Sequence, residues 1–488
     1  MDAFEHKLQK LLRRGVAGQQ GAIVDAGWLE PHLLAGPEWR YRNAAGHVGG
    51  LVLGYRNEQS IGSDDNRHVM TVAGSRGGKG VSLIVPNLLL YEGSVLAIDP
   101  KGELSRITAR ARREKGQKVI ILDPFPDDGA MPQGKFNPLD ELDPASKLVR
   151  DDAGVVADAL IIPSEHEPHW TDSARILVRN LILYTLTLPR KDRHLITVWR
   201  LLDAKHPSVL DVARRGQISN EAALFKLMEG CKDVFDGSVS SAGHNFAKMG
   251  EKERQSILSS ARTQLNFLDS GGMTDVLTGS DFKLSDLKSQ KTTLYLCLPA
   301  NRMGTHSRWL RVIINLALIA FERTRAKTDI PALMVLDEFA VLGHMRSIEV
   351  AAGLMAGFGL KLWVVVQDLG QIKRLYKDSW ETFIGNTGVV TFWSNSDKFT
   401  LDYVSDKLGQ TNVRIDQPSN ATANQKFGGT SGVREEMRVQ RLAPPHELER
   451  LLDRRQQTIL VLAAGQPPVV LERIVYYDDS NFVGQFDE

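Results

Sequence analysis

The 488-residue sequence predicts an α/β protein: a mostly parallel sheet built around a phosphate-binding loop and interrupted by an all-α insertion. Three observations carry that expectation. Val69 to Ala73 is a strand-like apolar run that leads into a glycine-rich loop with one lysine, after which Val81 to Leu90 resumes at helix length. Further strand-length apolar runs end in carboxylates, at Asp99, at Asp123 and at the pair Asp337 and Glu338. Between these two blocks lies a long stretch with only helical periodicity.

Taken in order, residues 1–67 hold a short basic helix at His6 to Arg14 and β material whose best strand is Gly50 to Tyr55. Residues 68–145 form the first part of the α/β domain. They carry the strand and loop just described, then a helix holding Pro86, which deletes a backbone bond and should kink it. The strand Ser94 to Asp99, a basic helix from Leu104 and the strand Lys118 to Leu122 follow. Alternation of strand and helix implies parallel pairing, and strand ends such as Asp99 and Asp123 lie at the edge where open α/β sheets bind ligands. Residues 146–290 change to helical periodicity, as in Thr171 to Leu186 and Glu251 to Leu268, and make the inserted all-α domain. Residues 291–488 return to the α/β pattern with the strands Thr292 to Leu298, Ala332 to Glu338, Lys361 to Gln367 and Val389 to Trp393 and the helices Thr305 to Arg325 and Asp397 to Leu408. A polar Gly/Asn/Ser-rich stretch, Gln417 to Gly432, reads as a loop. The chain closes on a helix near Pro445 to Leu452 and two strands, Gln457 to Leu462 and Val469 to Tyr476.

The loop itself comprises Gly74, Ser75, Arg76, Gly77, Gly78, Lys79, Gly80 and Val81. Glycines accept φ > 0 without steric cost, so several amide N–H groups can converge on one anion. The following helix aims its unsatisfied N–H groups and positive dipole end at the same point, and Lys79 adds an ammonium for β and γ phosphates. The pattern G-x-x-x-x-G-K-[ST] is broken at Ala73 and at Gly80. A hydroxyl at position 80 would bind Mg2+, so here the metal must rest on water, phosphate oxygens and a carboxylate from elsewhere. Ser82 is a poor substitute, because two helical steps turn its side chain roughly 200° from the Gly80 direction. A plain glycine-rich turn before a buried helix fits the same residues, and a second signal is needed.

Ala332 to Glu338 supplies it. An aspartate ending a buried strand can hold the water shell of Mg2+, and the next glutamate can polarise an attacking water, roles that suit Asp337 and Glu338. Gln367 ends the next strand with a neutral amide able to sense a γ phosphate or orient the water.

Composition excludes other classes. With 42% apolar and 24% charged residues the chain is of ordinary globular composition, and no run approaches the ~18 apolar residues of a membrane span. Its two cysteines, Cys231 and Cys297, have no metal-ligand spacing and support a cytoplasmic setting. A formal net charge of +1 means that a nucleic-acid partner would need locally gathered positive charge. The densest cluster is Arg106 to Lys118, which serves equally as a solvated helix face.

Together, HVMTVAGSRGGKGV, AIDPKGE, MVLDEFAVLG, GFGLKLWVVVQDLGQIKRLY, NTGVVTFWSN and ERIVYYDDSNF resemble the coupling-protein family of type IV secretion and conjugation systems, from about Gly50 to Phe482. That family commonly has Gly-Lys-Gly in its phosphate loop, so Gly80 fits. The resemblance implies a RecA-like domain binding ATP and Mg2+, interrupted by an all-α domain. It also implies a homo-hexameric ring that drives DNA or secreted protein into a channel, with channel and relaxosome components as partners. Residue by residue it implies Lys79 on phosphate, Asp337 on Mg2+, Glu338 as base and Gln367 as sensor, with Asp99 and Lys101 of the Asp-Pro-Lys-Gly-Glu element beside the nucleotide. Typical members begin with membrane-spanning helices and no such run is seen here, so either this is a soluble variant, cytoplasmic and brought to the inner membrane by a partner, or those helices lie outside this sequence. Arg346 and Arg374 stand near strand ends as candidates for an arginine that reaches a neighbouring subunit's site, and Lys373 and Arg374 as candidates for channel contacts. Two other readings share the phosphate loop: a docking receptor that moves no DNA, and a double-stranded DNA pump, which leaves the helical insertion unexplained.

Overall fold

The computed structural model describes residues 26–43, 45–126, 133–164, 168–418 and 433–487. The expected helix at His6 to Arg14 and most of the expected polar loop, residues 419–432, lie outside them. The strands, in chain order, are β1 (Leu51–Arg56), β2 (Gln59–Ser63), β3 (His68–Ala73), β4 (Val95–Asp99), β5 (Lys118–Leu122), β6 (Thr292–Cys297), β7 (Ala332–Leu336), β8 (Leu360–Val366), β9 (Thr387–Trp393), β10 (Gln410–Pro418), β11 (Val433–Arg441), β12 (Thr458–Ala463) and β13 (Val469–Glu472).

Two compact units divide the chain. The first comprises residues 1–92 and 362–485. Its strands run in the order β2-β1-β13-β12-β9-β3-β8. β3 pairs in parallel with β8 and with β9, whereas β12, β13, β1 and β2 add on antiparallel. Connection length accounts for the β1–β2 and β12–β13 pairs, because parallel neighbours need a long crossover while a tight turn can only reverse the chain. β1 and β2 are joined at Asn57 and Glu58, whose φ values of 49° and 63° match the left-handed pair of a type I′ hairpin turn. Within the core of this unit the buried Thr71 hydroxyl lies 2.9 Å from that of Thr391 and accepts from the Trp363 indole N–H at 2.9 Å. No polar group of that trio is left without a partner. β10 and β11 form a separate two-stranded ribbon, on either side of the stretch expected to be a loop.

The second unit comprises residues 93–361 and 486–488. Its strands run β7-β4-β6-β5, all parallel, and every residue of β4, β6 and β7 is buried. Continuous apolar runs rather than alternating ones mark these strands because both faces are covered. Between β5 and β6 the chain is helical from Val149–Leu160 through Gly271–Leu277. The long helix Pro168–Thr187 buries Leu177, Leu181, Tyr184 and neighbouring residues along its length. Of the basic cluster, Arg112 is fully buried, donating to the Gly93 carbonyl and Gln117 Oε1 at 2.7 Å and to Thr293 at 2.9 Å, and so acts as an internal strut. Arg110 pairs with Asp487 at 2.6 Å and Glu114 at 2.9 Å. Among the described residues no helix is long and apolar enough to cross a membrane.

Candidate nucleotide site

The residues expected at the site fall into two groups, one in each unit. In the first unit, β3 ends at Ala73 and the chain enters the glycine loop. The turn closes with Gly77 N–H donating to the Gly74 carbonyl at 2.9 Å, and Arg76 and Gly78 both take left-handed φ, 56° and 77°. Such alternation turns successive amides to one side and makes an anion nest. The helix then starts at Lys79 as a π-helical turn, Gly80–Ile84, and continues as α-helix, Val85–Leu90. The kink expected from Pro86 takes this form: a wide π-helical turn precedes the proline, which sits where the helix changes to α.

The end of β9 forms the wall of this loop. Gly74 N–H donates to the Trp393 carbonyl at 3.2 Å, and the Trp393 indole N–H donates to the Gly77 carbonyl at 2.8 Å. Ser394 follows in a left-handed conformation with φ 55°. A Cβ at Gly74 would stand 1.9 Å from the Ser394 carbonyl oxygen, and one at Gly77 2.9 Å from the Ser394 Cβ. Close backbone approach therefore requires glycine at both positions. At Gly80, by contrast, a Cβ would meet nothing within 4 Å. Gly80→Ser is thus expected to fold with a thermal midpoint at or slightly above that of the native protein, serine being more favourable than glycine in a helix by about 0.5 kcal/mol. A melt lowered by several degrees would show that the π-helical turn itself needs glycine.

Ser82 is buried and its hydroxyl accepts from Arg473 Nε at 3.1 Å, so it is engaged away from the Gly80 direction. Gln367 lies one residue past β8, whose register pairs Val366 with Val72 of β3. Its backbone accepts from Asn395 Nδ2 at 3.1 Å and its N–H donates to Gln371 Oε1 at 3.1 Å. The structure thus brings the loop from Gly74 to Val81 and Gln367 to one edge of this unit. Just beyond, Lys373 packs its ammonium over the Phe399 ring, 4.4 Å from its centroid.

In the second unit, β4 and β7 are neighbours in a register that pairs Ala97 with Val335. Two residues further on, Asp99 and Asp337 end these strands at the same edge. Asp99 is 1% exposed, and its Oδ2 accepts from the Ser105 N–H at 2.8 Å, which ties it to the start of the helix Glu103–Glu114. Burial pushes its carboxyl up, against the amide hydrogen bonds that pull it down. Lys101 is exposed and lies 3.9 Å from Glu103. Asp337 is 8% exposed, and one of its carboxylate oxygens accepts from the Glu338 N–H at 3.0 Å. Glu338 adopts φ 55° and ψ 41°, a left-handed conformation that is costly for a side chain of this length. Arg311 fixes the turn that follows: its Nη1 donates to the Leu342 carbonyl at 2.6 Å and the His344 carbonyl at 2.9 Å. Among the described residues no three His, Cys, Asp or Glu side chains gather into a metal cage.

Sequence reasoning missed Trp393, Ser394, Arg473 and Arg311. The strings NTGVVTFWSN and ERIVYY contain the first three, yet nothing local ties them to the loop.

Three comparisons bear on identity. The family model described as "Type IV secretory system Conjugative DNA transfer" matches residues 21–487. The chain is 26% identical over 473 residues to protein VirD4 of Rhizobium radiobacter, which covers 96% of this chain and 64% of that protein, so it spans less than two thirds of the relative's length. Among solved structures it resembles the plasmid coupling protein TrwB in complex with the non-hydrolysable ATP analogue ADPNP, at TM-score 0.62 and 16% identity over 85% of this chain and 88% of that one. TrwB in complex with ADP and Mg2+ matches at TM-score 0.56 and 17% identity, over 84% and 85%. At such identities the likeness establishes a shared RecA-like phosphate-loop fold.

Proposed function

Because the chain belongs to the type IV secretory system conjugative DNA-transfer family, we propose that it is a coupling ATPase that recruits DNA or secreted protein and drives it into a secretion channel. The observation that carries this reading is the loop. Its glycines are required by 1.9 Å and 2.9 Å approaches to Ser394, and its left-handed Arg76 and Gly78 shape an anion nest ahead of Lys79. Nucleotide complexes of TrwB, with ADPNP and with ADP and Mg2+, support ATP and Mg2+ as the ligands. Lys79 meets the phosphates, Gln367 senses the γ phosphate, and Asp337 holds the water shell of Mg2+. The metal supplies charge neutralisation for the transferred phosphoryl group. Among the described residues no three carboxylates or imidazoles gather into a cage, and position 80 has no hydroxyl, so Asp337 would hold the ion together with water and phosphate oxygens. Glu338 polarises the attacking water. Asp99 acts by capping the helix Glu103–Glu114, and Lys101 at that helix's exposed start is the part of its element open to a ligand. The working form is a hexameric ring, in which a neighbour's arginine completes each site; Arg346 and Arg374 are the candidates.

The test is specific ATPase activity across a dilution series, with and without single-stranded DNA. Activity per chain should rise with concentration and rise further with DNA, because a strand touching several subunits favours the assembled state. Contacts to phosphates should make that stimulation fall steeply with salt and depend little on base sequence. Activity that stays flat in both series, from a species sedimenting as a monomer, would favour the docking receptor instead.

A further inference from the structure

Three buried polar atoms around the phosphate loop have no hydrogen-bond partner: Ser394 Oγ, Asn395 Oδ1 and Arg473 Nη1. The third is the most costly, because it belongs to a cation. Arg473 follows β13 and is anchored by its own N–H, which donates to the Gln457 carbonyl at 2.7 Å. Its guanidinium is fixed on two further sides. Nε donates to the buried Ser82 hydroxyl at 3.1 Å, and the group stands 5.8 Å from the centroid of the Trp393 ring, the same ring whose indole N–H holds the Gly77 carbonyl at 2.8 Å. Nη2 would be 2.8 Å from a Cβ at Gly78, which places the charge directly against the residue before Lys79.

Among the described residues no carboxylate pairs with Arg473. Burial pulls its guanidinium below the ordinary arginine range. A partly desolvated cation without a counter-ion is destabilising, and perturbed charges of this kind cluster where function uses them. Gly78 itself, with Arg76, shapes the anion nest beside which this charge stands.

We propose that Arg473 is a positioning and charge-supplying residue of the phosphate loop: held behind Gly78 by Ser82 and Trp393, it provides part of the positive potential into which the nucleotide phosphates bind. The inference rests on the nucleotide-binding reading above and adds a second fixed charge, donated by the C-terminal segment of the same chain. It does not require contact with the nucleotide. At effective interior dielectric, a unit charge several ångströms from a phosphate is worth about a tenfold change in affinity or more per ligand charge.

The experiment compares native protein, Arg473→Met and Arg473→Lys by titration with ATP, ADP and inorganic pyrophosphate, and by thermal melts without ligand. Arg473→Met should bind ATP about tenfold or more weaker, with a larger loss for ATP than for ADP, and Arg473→Lys should recover most of the affinity. The unliganded melt of Arg473→Met should be no lower than native, since a partly buried cation without a carboxylate partner has been removed. Equal affinity in all three proteins overturns the proposal. So does a loss that is the same for ATP and ADP, is not rescued by lysine, and comes with a lowered melt, because that is the behaviour of a packing strut. If Arg473→Met does not fold, Arg473→Gln takes its place: a loss of ATP affinity that Arg473→Lys does not share supports the charge, and affinity equal to native in both overturns it. Native protein that binds none of the three ligands would instead reject the nucleotide reading itself, and this inference with it.

Discussion

Lys79→Ala is expected to lose nucleotide binding, whereas Glu338→Gln should keep it and lose turnover by roughly 10²–10⁴-fold, the contribution of a positioned general base. The difference follows from when each side chain meets charge. In the proposed site Lys79, at the start of the helix behind the nest, would interact with phosphate in the ground state, so its loss should appear in affinity. Glu338 in its proposed role would act on the water, and its conservative amide replacement should leave the turn held by Arg311 in place. Equilibrium binding of a fluorescent ATP analogue, together with steady-state hydrolysis, reads the two effects separately. Equal loss of affinity in both variants would remove Glu338 from its role.

Gly74→Ala should be the most damaging single methyl group in the loop. The added Cβ would stand 1.9 Å from the Ser394 carbonyl oxygen, and that carbonyl belongs to backbone that cannot rotate away as a side chain would. Strain of this kind costs about 1–3 kcal/mol, and relieving it pushes β3 and β9 apart where Gly74 N–H donates to Trp393. Nucleotide binding should fall by more than tenfold while Gly80→Ser, six residues away on an open face, binds as native. If titration shows Gly74→Ala within twofold of native, the wall formed by β9 gives way cheaply and does not shape the nest.

Much of this site was legible in the sequence, for a physical reason: a phosphate loop is local. The glycines, Lys79 and the strand and helix around them lie within about twenty residues, and their backbone needs are written in residue type. Asp337 and Glu338 were legible because a fully buried parallel strand reads as an unbroken apolar run that stops at its carboxyl end. Other features were not. The β1–β2 hairpin turns on Asn57 and Glu58 rather than on Asn-Gly, and so lacked its strongest cue. β10 and β11 flank a polar stretch with no pattern to announce a ribbon. Trp393, Ser394 and Arg473 reach the loop across more than three hundred residues of chain, and no periodicity records which distant strand end will face which turn. Asp99 shows the limit within a motif: its place at a strand end was foreseen, but its burial beneath the next helix depends on packing.

The order of β3 between β8 and β9 also sets a timetable for synthesis. β3 ends at Ala73, and the earlier of its two partners begins at Leu360. At ~5–20 residues per second, the strand that carries the phosphate loop emerges from the ribosome and waits on the order of 15–60 s before either neighbour exists. Meanwhile β4, β5, β6 and β7 are all made and can pair with one another. The four-stranded β7-β4-β6-β5 sheet encoded in the middle of the gene can therefore form first, and an early stop anywhere before β8 leaves the loop attached to a strand with both edges bare.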